Sequence, residues 1–486
     1  MNQSKSYFFQ SFLILLLSAV FFLGLKKVMP SKIFSEKAGA TKNVLIDSML
    51  IDAFVAEKEG IQAEAGDTMA NQKVSYYQTN GIAFPDETYE NYKGFQYLIS
   101  FFEKLFQLET TKNENVRIAY FGDSMTDGDL IVQDLRTSFQ QTFGGEGVGF
   151  VSITSESAGS RNSVKHEFSD NWKMQSYLNV KYPLRPFGVN GHVFFANDTL
   201  RTEWVKFTAS KRRFVSQLHN PTLFYGSSKN KNGVVALIAN GDTVYKKLAP
   251  NNLLNTLSLP RQGIKRLKAN FIDADSIPVY GFNFDDGKGV HVDNFSQRGN
   301  SGIPISKFNV PLMRAFNEKL GYDLIVLHYG TNVLNYGTKN YRWYERGMTR
   351  TVERLREAFP GVAILVVSTA DKASKYGLEM ETDSAVVPLT LAQKRYALNS
   401  KAGFINLYTL MGGDGSIVKW ASEVPPLANK DYTHFSFKGA SKIGALLYGE
   451  ISRGYELYKE LRKTRTSGNA SASGDSLVRK QPDDVE

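Results

Sequence analysis

The chain has 486 residues, 42% hydrophobic and 13% aromatic content, and a net charge of +10. That is enough apolar material for a large core and, by size, for roughly two to four domains, and 33 Phe with 24 Tyr set most of the chain apart from disordered sequences. The absence of cysteine excludes disulfides, Cys-ligated zinc, iron–sulfur clusters and Cys nucleophiles, while the dispersed Lys and Arg, with only short runs such as Lys211-Arg212-Arg213, suggest an anionic envelope surface as neighbour; no nucleic-acid motif accompanies them.

Tyr7 to Leu25 is nearly all apolar and about long enough to cross a bilayer, with Lys5 before it and Lys26-Lys27 after it. No small-residue cleavage site follows. Residues 1–27 therefore read as a retained single-pass signal anchor rather than a cleaved peptide or a core helix. The basic pair beyond it runs against a simple positive-inside pattern, yet the expected arrangement keeps the N-terminus inside and the bulk of the chain extracytoplasmic, in the periplasm.

Residues 28–84 have mixed polarity and little periodicity, and read as a linker or stalk. Pro85 to Phe106 carries apolar residues at helical spacing (Phe95, Leu98, Phe102, Leu105, Phe106). Val116–Phe121 is a buried strand by its composition, and a helix is expected from Thr126 or Asp127 to Phe139, ended by the glycines at 144, 145, 147 and 149. Between 150 and 290 short β-rich runs dominate, at Glu203–Ala209, Pro221–Gly226, Val234–Ile238, Leu254–Leu259 and Ile277–Phe284, with turn residues between them. Such spacing suggests an antiparallel sandwich. Strand–helix alternation returns afterwards: strands at Leu324–Leu327, Val362–Ser368 and Gly403–Leu407, helices at Tyr344–Phe359, Leu389–Ser400 and Ser436–Leu457. This pattern argues for parallel βαβ units. The expected architecture is an α/β domain in two parts, 85–149 and 291–463, interrupted by a β-rich insert at 150–290 and followed by a disordered tail at 464–486.

Chemistry concentrates in four places. Gly122-Asp123-Ser124 follows a buried strand directly, and ligands in open α/β sheets bind at the carboxyl ends of strands. A serine there is placed as a nucleophile, although the same serine could equally be a helix N-cap. The G-x-S-x-G elbow of the α/β-hydrolases is absent. Of six histidines only His434 has an aspartate three residues before it, Asp431, a spacing that lets a carboxylate hold the imidazole tautomer; one such pair also arises readily by chance. Gly299-Asn300-Ser301-Gly302 is a turn able to present a backbone N–H to an oxyanion, and Asn332, after the strand Leu324-Ile325-Val326-Leu327-His328-Tyr329, could supply an amide donor. Each of the last two is by itself an ordinary loop. No His-x-x-x-His pair or Cys set points to a metal, and no cofactor is expected.

The order of these blocks resembles the SGNH (GDSL) hydrolase superfamily: Ser124, Gly302, Asn332, then Asp431 with His434. The resemblance covers about 85–150 and 290–460. It implies a flavodoxin-like, five-stranded parallel sheet, Ser124 as nucleophile, His434 as base, Asp431 as its orienting partner, and an oxyanion hole from the Ser124 N–H, the Gly302 N–H and the Asn332 side chain. Many members carry Asp after the block-three Asn, where this chain has Val333, and Gly299 competes with Gly302 for the block-two position. The long insert resembles envelope-associated peptidoglycan O-acetylesterases in which a carbohydrate-binding-like sandwich interrupts the hydrolase domain. The function so implied is hydrolysis of an acyl ester, an O-acetyl group, on a cell-envelope carbohydrate. Two alternatives use the same residues differently. One is an O-acetyltransferase acetylating a polysaccharide after charging by a membrane O-acyltransferase; the other is a tethered glycan-binding protein whose insert aromatics Trp172, Tyr177, Tyr182 and Trp204 stack on sugars, unless those rings are core.

Overall fold

In the computed structural model of the protein, which describes residues 12–13, 16–18, 47–59, 72–196, 202–334 and 339–472, five apolar runs form one parallel sheet. They are β1 (Asn115–Gly122), β2 (Gly289–Asn294), β3 (Tyr322–His328), β4 (Ala363–Val367) and β5 (Gly403–Ile405), in the spatial order β2-β1-β3-β4-β5. Every residue of β4 and all but the first of β1 are buried, as a sheet covered on both faces requires. The side chains alternate between two cores. Ile118, Tyr120, Leu324 and Val326 pack under α2 (Ile99–Thr111), α3 (Val132–Phe143) and α7 (Phe437–Ala472). Ala119, Phe121, Ile325 and Leu327 pack under α4 (Val310–Leu320), α5 (Arg342–Ala358) and α6 (Val386–Asn399). The period-2 switch from one face to the other follows from strand geometry.

Between β1 and β2 the chain builds two antiparallel sheets. One is ordered Asp242–Lys247, Val234–Ala239, Arg266–Ile272, Glu203–Ala209, Val164–Phe168. The other is ordered Leu254–Ser258, Thr222–Gly226, Val279–Phe284, His192–Phe195, Lys173–Ser176, with Gly149–Ser152 also paired to Val279–Phe284. Phe207 of the first sheet meets Phe282 and Phe284 of the second at 5.5 and 5.0 Å between ring centres, so the two sheets enclose one core. The Asn240-Gly241 turn has positive φ at both residues (52° and 109°), which fits the two-residue hairpin it closes. The insert returns to the parallel sheet through a buried charge cluster. Arg117 of β1 donates to Asp293 of β2 at 2.8 and 3.0 Å and to Asn283 at 3.2 Å, and also contacts Asp285 just past the last insert strand. Burial works against the charge on Asp285, but Arg117 and His291 outweigh it and hold the carboxyl down at about 2.

Several expectations are corrected. Parts of the supposed linker 28–84 pack on the body: α1 (Ser48–Glu59) and residues 72–84 bury Leu50, Val74, Ile82 and Phe84. Their partners lie far along the chain, as in the edge-on contact of Phe54 with Trp343, so no local periodicity marks them. Residues 28–46 and 60–71 lie outside the described residues. The helix expected from Pro85 starts only at Ile99, after a tight turn at Phe95–Leu98 opened by Gly94 in the left-handed region. Helix α7 continues to Ala472, past the expected tail boundary at 463, and residues 473–486 lie outside the described residues.

Residues 1–44 form a unit of their own. Within its apolar stretch only Phe12, Leu13 and Leu16–Ser18 are described; they are helical and exposed. The rest of Tyr7–Leu25, and with it the expected membrane anchor, lies outside the described residues. Among the described residues no helix is long and apolar enough to cross a membrane.

Candidate active site

The order β2-β1-β3-β4-β5 has its switch point between β1 and β3, where a ligand crevice opens beyond the carboxyl ends of the strands. Ser124 leaves β1 at that point. Gly122 makes the sharp exit possible: a Cβ there would stand 2.1 Å from Thr126 Oγ1 and 2.9 Å from Ser296 Oγ. Asp123 then shapes the turn, its Oδ1 accepting the Met125 N–H at 2.9 Å and its carbonyl accepting the N–H groups of Thr126 and Asp127. No helix begins here, contrary to expectation. A tight turn at Asp127–Asp129 intervenes, Gly128, Asp129 and Ile131 take positive φ, and α3 starts at Val132. The left-handed Asp129 is held by a two-pronged, buried ion pair with Arg136 at 2.7 and 3.0 Å. Helix-dipole stabilisation at Ser124 is therefore not available from α3, because the dipole's effect is confined to the first turn.

His434 comes from the loop ahead of α7. Its Nε2 lies 3.1 Å from Ser124 Oγ, and its Nδ1 lies 2.8 Å from Asp431 Oδ2. The other Asp431 oxygen accepts the N–H groups of Thr433 and His434, both at 3.0 Å. Partial burial raises the Asp431 pKa, but these donors and the imidazole outweigh it and hold the carboxyl below its usual value. An ionised Asp431 can only accept, so Nδ1 carries the hydrogen and a neutral ring presents the Nε2 lone pair to the Ser124 hydroxyl. Tyr432 at φ 51° lets the loop turn back so that an Asp and a His three residues apart meet. The side chains of His434 and Asp431 are 41% and 49% exposed, so the site opens to solvent and can admit a bulky substrate.

The loop after β2 approaches from the other side. Gln297 N–H bonds the Gly122 carbonyl at 3.1 Å, Ser296 Oγ meets Thr126 Oγ1 at 2.7 Å, and Arg298 Nε donates to Asp127 at 2.9 Å. Asn300 is fully buried and organises the rest of this loop. Its Oδ1 accepts the Gly302 N–H at 2.9 Å, its amide donates to Tyr177 Oη at 2.9 Å, and its carbonyl accepts from Asn332 Nδ2 at 3.1 Å. Gly302 is thereby corrected as an oxyanion donor. Its N–H is spent on Asn300, and the residue is a glycine because at φ 92° a Cβ would press on Tyr329 and Met348. Gly299 and Ser124 instead have backbone N–H groups without an acceptor among the described residues. Asn332 reaches the site because Gly330 lets β3 exit against Thr369, where a Cβ would come within 2.4 Å. One of its two amide hydrogens is engaged by Asn300; the other has no acceptor among the described residues.

Sequence reasoning passed over Asp123, which is fully buried next to Ser124; burial raises its carboxyl to about 6 against the pull of the Met125 N–H and His434. The signal was an acidic residue wedged between a buried strand and the serine. Of the insert aromatics, Trp172 and Tyr177 are core, Trp204 is partly covered with Lys268 over its face at 4.7 Å, and Tyr182 is exposed. Among the described residues no cluster of three or more His, Asp or Glu could hold a metal.

No family model and no curated protein matches the chain. Among solved structures it is similar to a peptidoglycan O-acetylesterase, with TM-score 0.59 and 23% identity over 74% of this chain and 96% of that one. A family two carbohydrate esterase from Cellvibrio japonicus matches at TM-score 0.24 and 10% identity over 61% of this chain and 99% of that one. A family two carbohydrate esterase from Corynascus thermopiles (Myceliophthora fergusii) matches at 0.27 and 11%, over 60% and 99%. The first of these carries the comparison, and what it shares with this chain is the overall fold. With its β2-β1-β3-β4-β5 sheet and its Ser124, Asn332 and Asp431–His434 segments gathered at one end, the chain shares the fold of that peptidoglycan O-acetylesterase.

Proposed function

We propose that the chain is a serine esterase that removes O-acetyl groups from a cell-envelope carbohydrate. The observation that carries this reading is the continuous line Ser124 Oγ, His434 Nε2, His434 Nδ1, Asp431 Oδ2, with steps of 3.1 and 2.8 Å, at the sheet's switch point. Ser124 Oγ attacks the acetyl carbonyl carbon as His434 Nε2 takes its proton. The oxyanion is met by the N–H groups of Ser124 and Gly299 and the free amide hydrogen of Asn332. Asp431 stabilises the imidazolium without being protonated. His434 then gives the proton to the departing sugar oxygen as its bond to the acyl carbon breaks. Water, deprotonated by His434, attacks the acetyl-serine, and acetate leaves as the bond to Ser124 Oγ breaks and His434 returns the proton to that oxygen.

The carbohydrate class is supported by the likeness to a peptidoglycan O-acetylesterase and by an open, solvent-facing site. The apolar Tyr7–Leu25 stretch supports a membrane-anchored chain with the site in the periplasm. The test is acetate release from a small acetyl ester by the full chain beside Ser124→Ala and His434→Ala. Activity in the parent and its loss in both variants is expected; full activity in Ser124→Ala overturns the assignment. Adding a glycan acceptor separates hydrolysis from transfer, because acetylated glycan as product refutes a pure esterase.

A further inference from the structure

The segment 181–187 crosses the surface beside the 3₁₀ turn Ile303–Lys307 and forms with it an open pocket of about 250 Å3. Lys181, Arg185 and Lys307 line it, with Asn309 as a polar neighbour and Phe187 as an apolar wall. Among the described residues, Lys181 and Arg185 have neither an ion-pair nor a side-chain hydrogen-bond partner. Lys307 donates once, to the Tyr177 carbonyl at 2.6 Å, which pins its ammonium at the pocket and leaves two hydrogens for a ligand. The carboxylates that act on its charge are those of Asp47 and Asp52. Asp47 is occupied elsewhere: it accepts from Ser301 and from the N–H groups of Met49 and Leu50. Burial pushes the Lys307 pKa down and the charge of Lys181 adds to this, against the opposing pull of the Asp47 and Asp52 carboxylates. Pro183 and Pro186 restrict the backbone that carries Arg185, so little conformational freedom is lost on binding. Tyr182, next in the chain to Lys181, exposes 84% of its surface, a ring face available to a sugar.

The pocket is tied to the candidate active site. The Tyr177 whose carbonyl holds Lys307 also accepts, at its hydroxyl, the side chain of Asn300 that organises the loop facing Ser124. We infer that Lys181, Arg185 and Lys307 form a subsite for the anionic groups, carboxylate or phosphate, of the polymer whose ester Ser124 attacks. This deepens the esterase reading and rests on it for the identity of the polymer as substrate; binding of the anion itself does not.

The experiment measures binding of the full chain to three probes, polygalacturonate, poly(glycerol phosphate) and neutral dextran, beside hydrolysis of a small acetyl ester. Lys181→Gln/Arg185→Gln is compared with Lys211→Gln/Arg212→Gln, an exposed basic pair elsewhere that removes the same charge. The first pair is expected to weaken polyanion binding about tenfold, to leave the small ester's turnover unchanged, and to lose its effect at high salt. The control pair should have little effect. Preference for one polyanion names the group as carboxylate or phosphate. The inference is overturned if the parent binds dextran as tightly as both polyanions, or if the control pair weakens binding equally, which would make the attraction a property of net charge. Polyanion binding by a parent that hydrolyses no ester would instead leave the subsite standing and remove the esterase reading.

Discussion

Asp123→Asn isolates what a buried charge costs this fold. The carboxyl titrates at about 6 in the folded chain, against a usual 3.8, because burial disfavours its charged form. The folded state therefore holds its proton more tightly than the unfolded chain. The stability this confers is fully present below pH 3.8 and is lost as the pH rises through 6. Above 6 the loss amounts to about 3 kcal/mol, of which about 2 kcal/mol or slightly more develops between pH 4 and 7. Asparagine is neutral throughout and escapes this loss. It keeps an oxygen for the Met125 N–H, but one of its atoms becomes a donor where the carboxylate also accepts from Thr331, a cost that does not change with pH. The observable is thus the change in relative stability, not its value at one pH. Between pH 4 and 7 the melting temperature of the variant should gain on the parent by about 2–3 °C, since a cooperative unit of this size shifts by about 1 °C per kcal/mol. Parallel melting curves for the two proteins across this range would refute the argument.

Asn332→Ala should lower kcat on a small acetyl ester by about 10²–10³ with little change in KM, since the amide acts on charge that develops after binding; loss confined to KM would remove it from the oxyanion site. Asp431→Asn should cost about three to four orders of magnitude in kcat, as much as losing the correct tautomer, and circular dichroism should show the fold intact. Arg117→Leu leaves the carboxylates of Asp285 and Asp293 buried without their cation and should destabilise the chain by about 3–5 kcal/mol in denaturant titration. Asp47→Ala strips Ser301 and the start of α1 of their acceptor; several-fold loss of kcat is expected, with partial rescue in Asp47→Asn, which retains one acceptor oxygen.

What the sequence makes legible here is whatever is written locally. The runs Val116–Phe121 and Val362–Ser368 announce themselves as doubly covered strands because nearly every side chain is apolar, and both are strands of the parallel sheet. Ser124, Asp431 and His434 stand out by residue type beside such runs, and the structure brings them within hydrogen-bond reach. Less is legible where polar edges dilute the pattern. Asp242–Lys247 and Lys173–Ser176 are edge strands with mostly exposed or half-exposed side chains, and neither shows the apolar alternation used to find Glu203–Ala209. The start of α3 is hidden for a different reason. Asp129 sits at positive φ because Arg136, a full two turns further on, binds it, and no propensity scale contains that partner.

The two glycines of Gly299-Asn300-Ser301-Gly302 show where reading by motif ends. Both are glycines, both take positive φ, and both lie in the loop after β2. What separates them is the side chain between: Asn300 spends its oxygen on the second N–H and its amide on Tyr177, which leaves the first N–H unclaimed. Asn300 is held for this by Tyr177, from the insert, by Tyr329 at 3.4 Å and by Asn332, from the loop after β3. The insert is thus part of the machinery that shapes the loop facing Ser124, through Tyr177 and through the Arg117 cluster that fixes where β2 ends. Without the insert the same four blocks would remain in this chain, and Asn300 would lose Tyr177, the nearer acceptor of its amide.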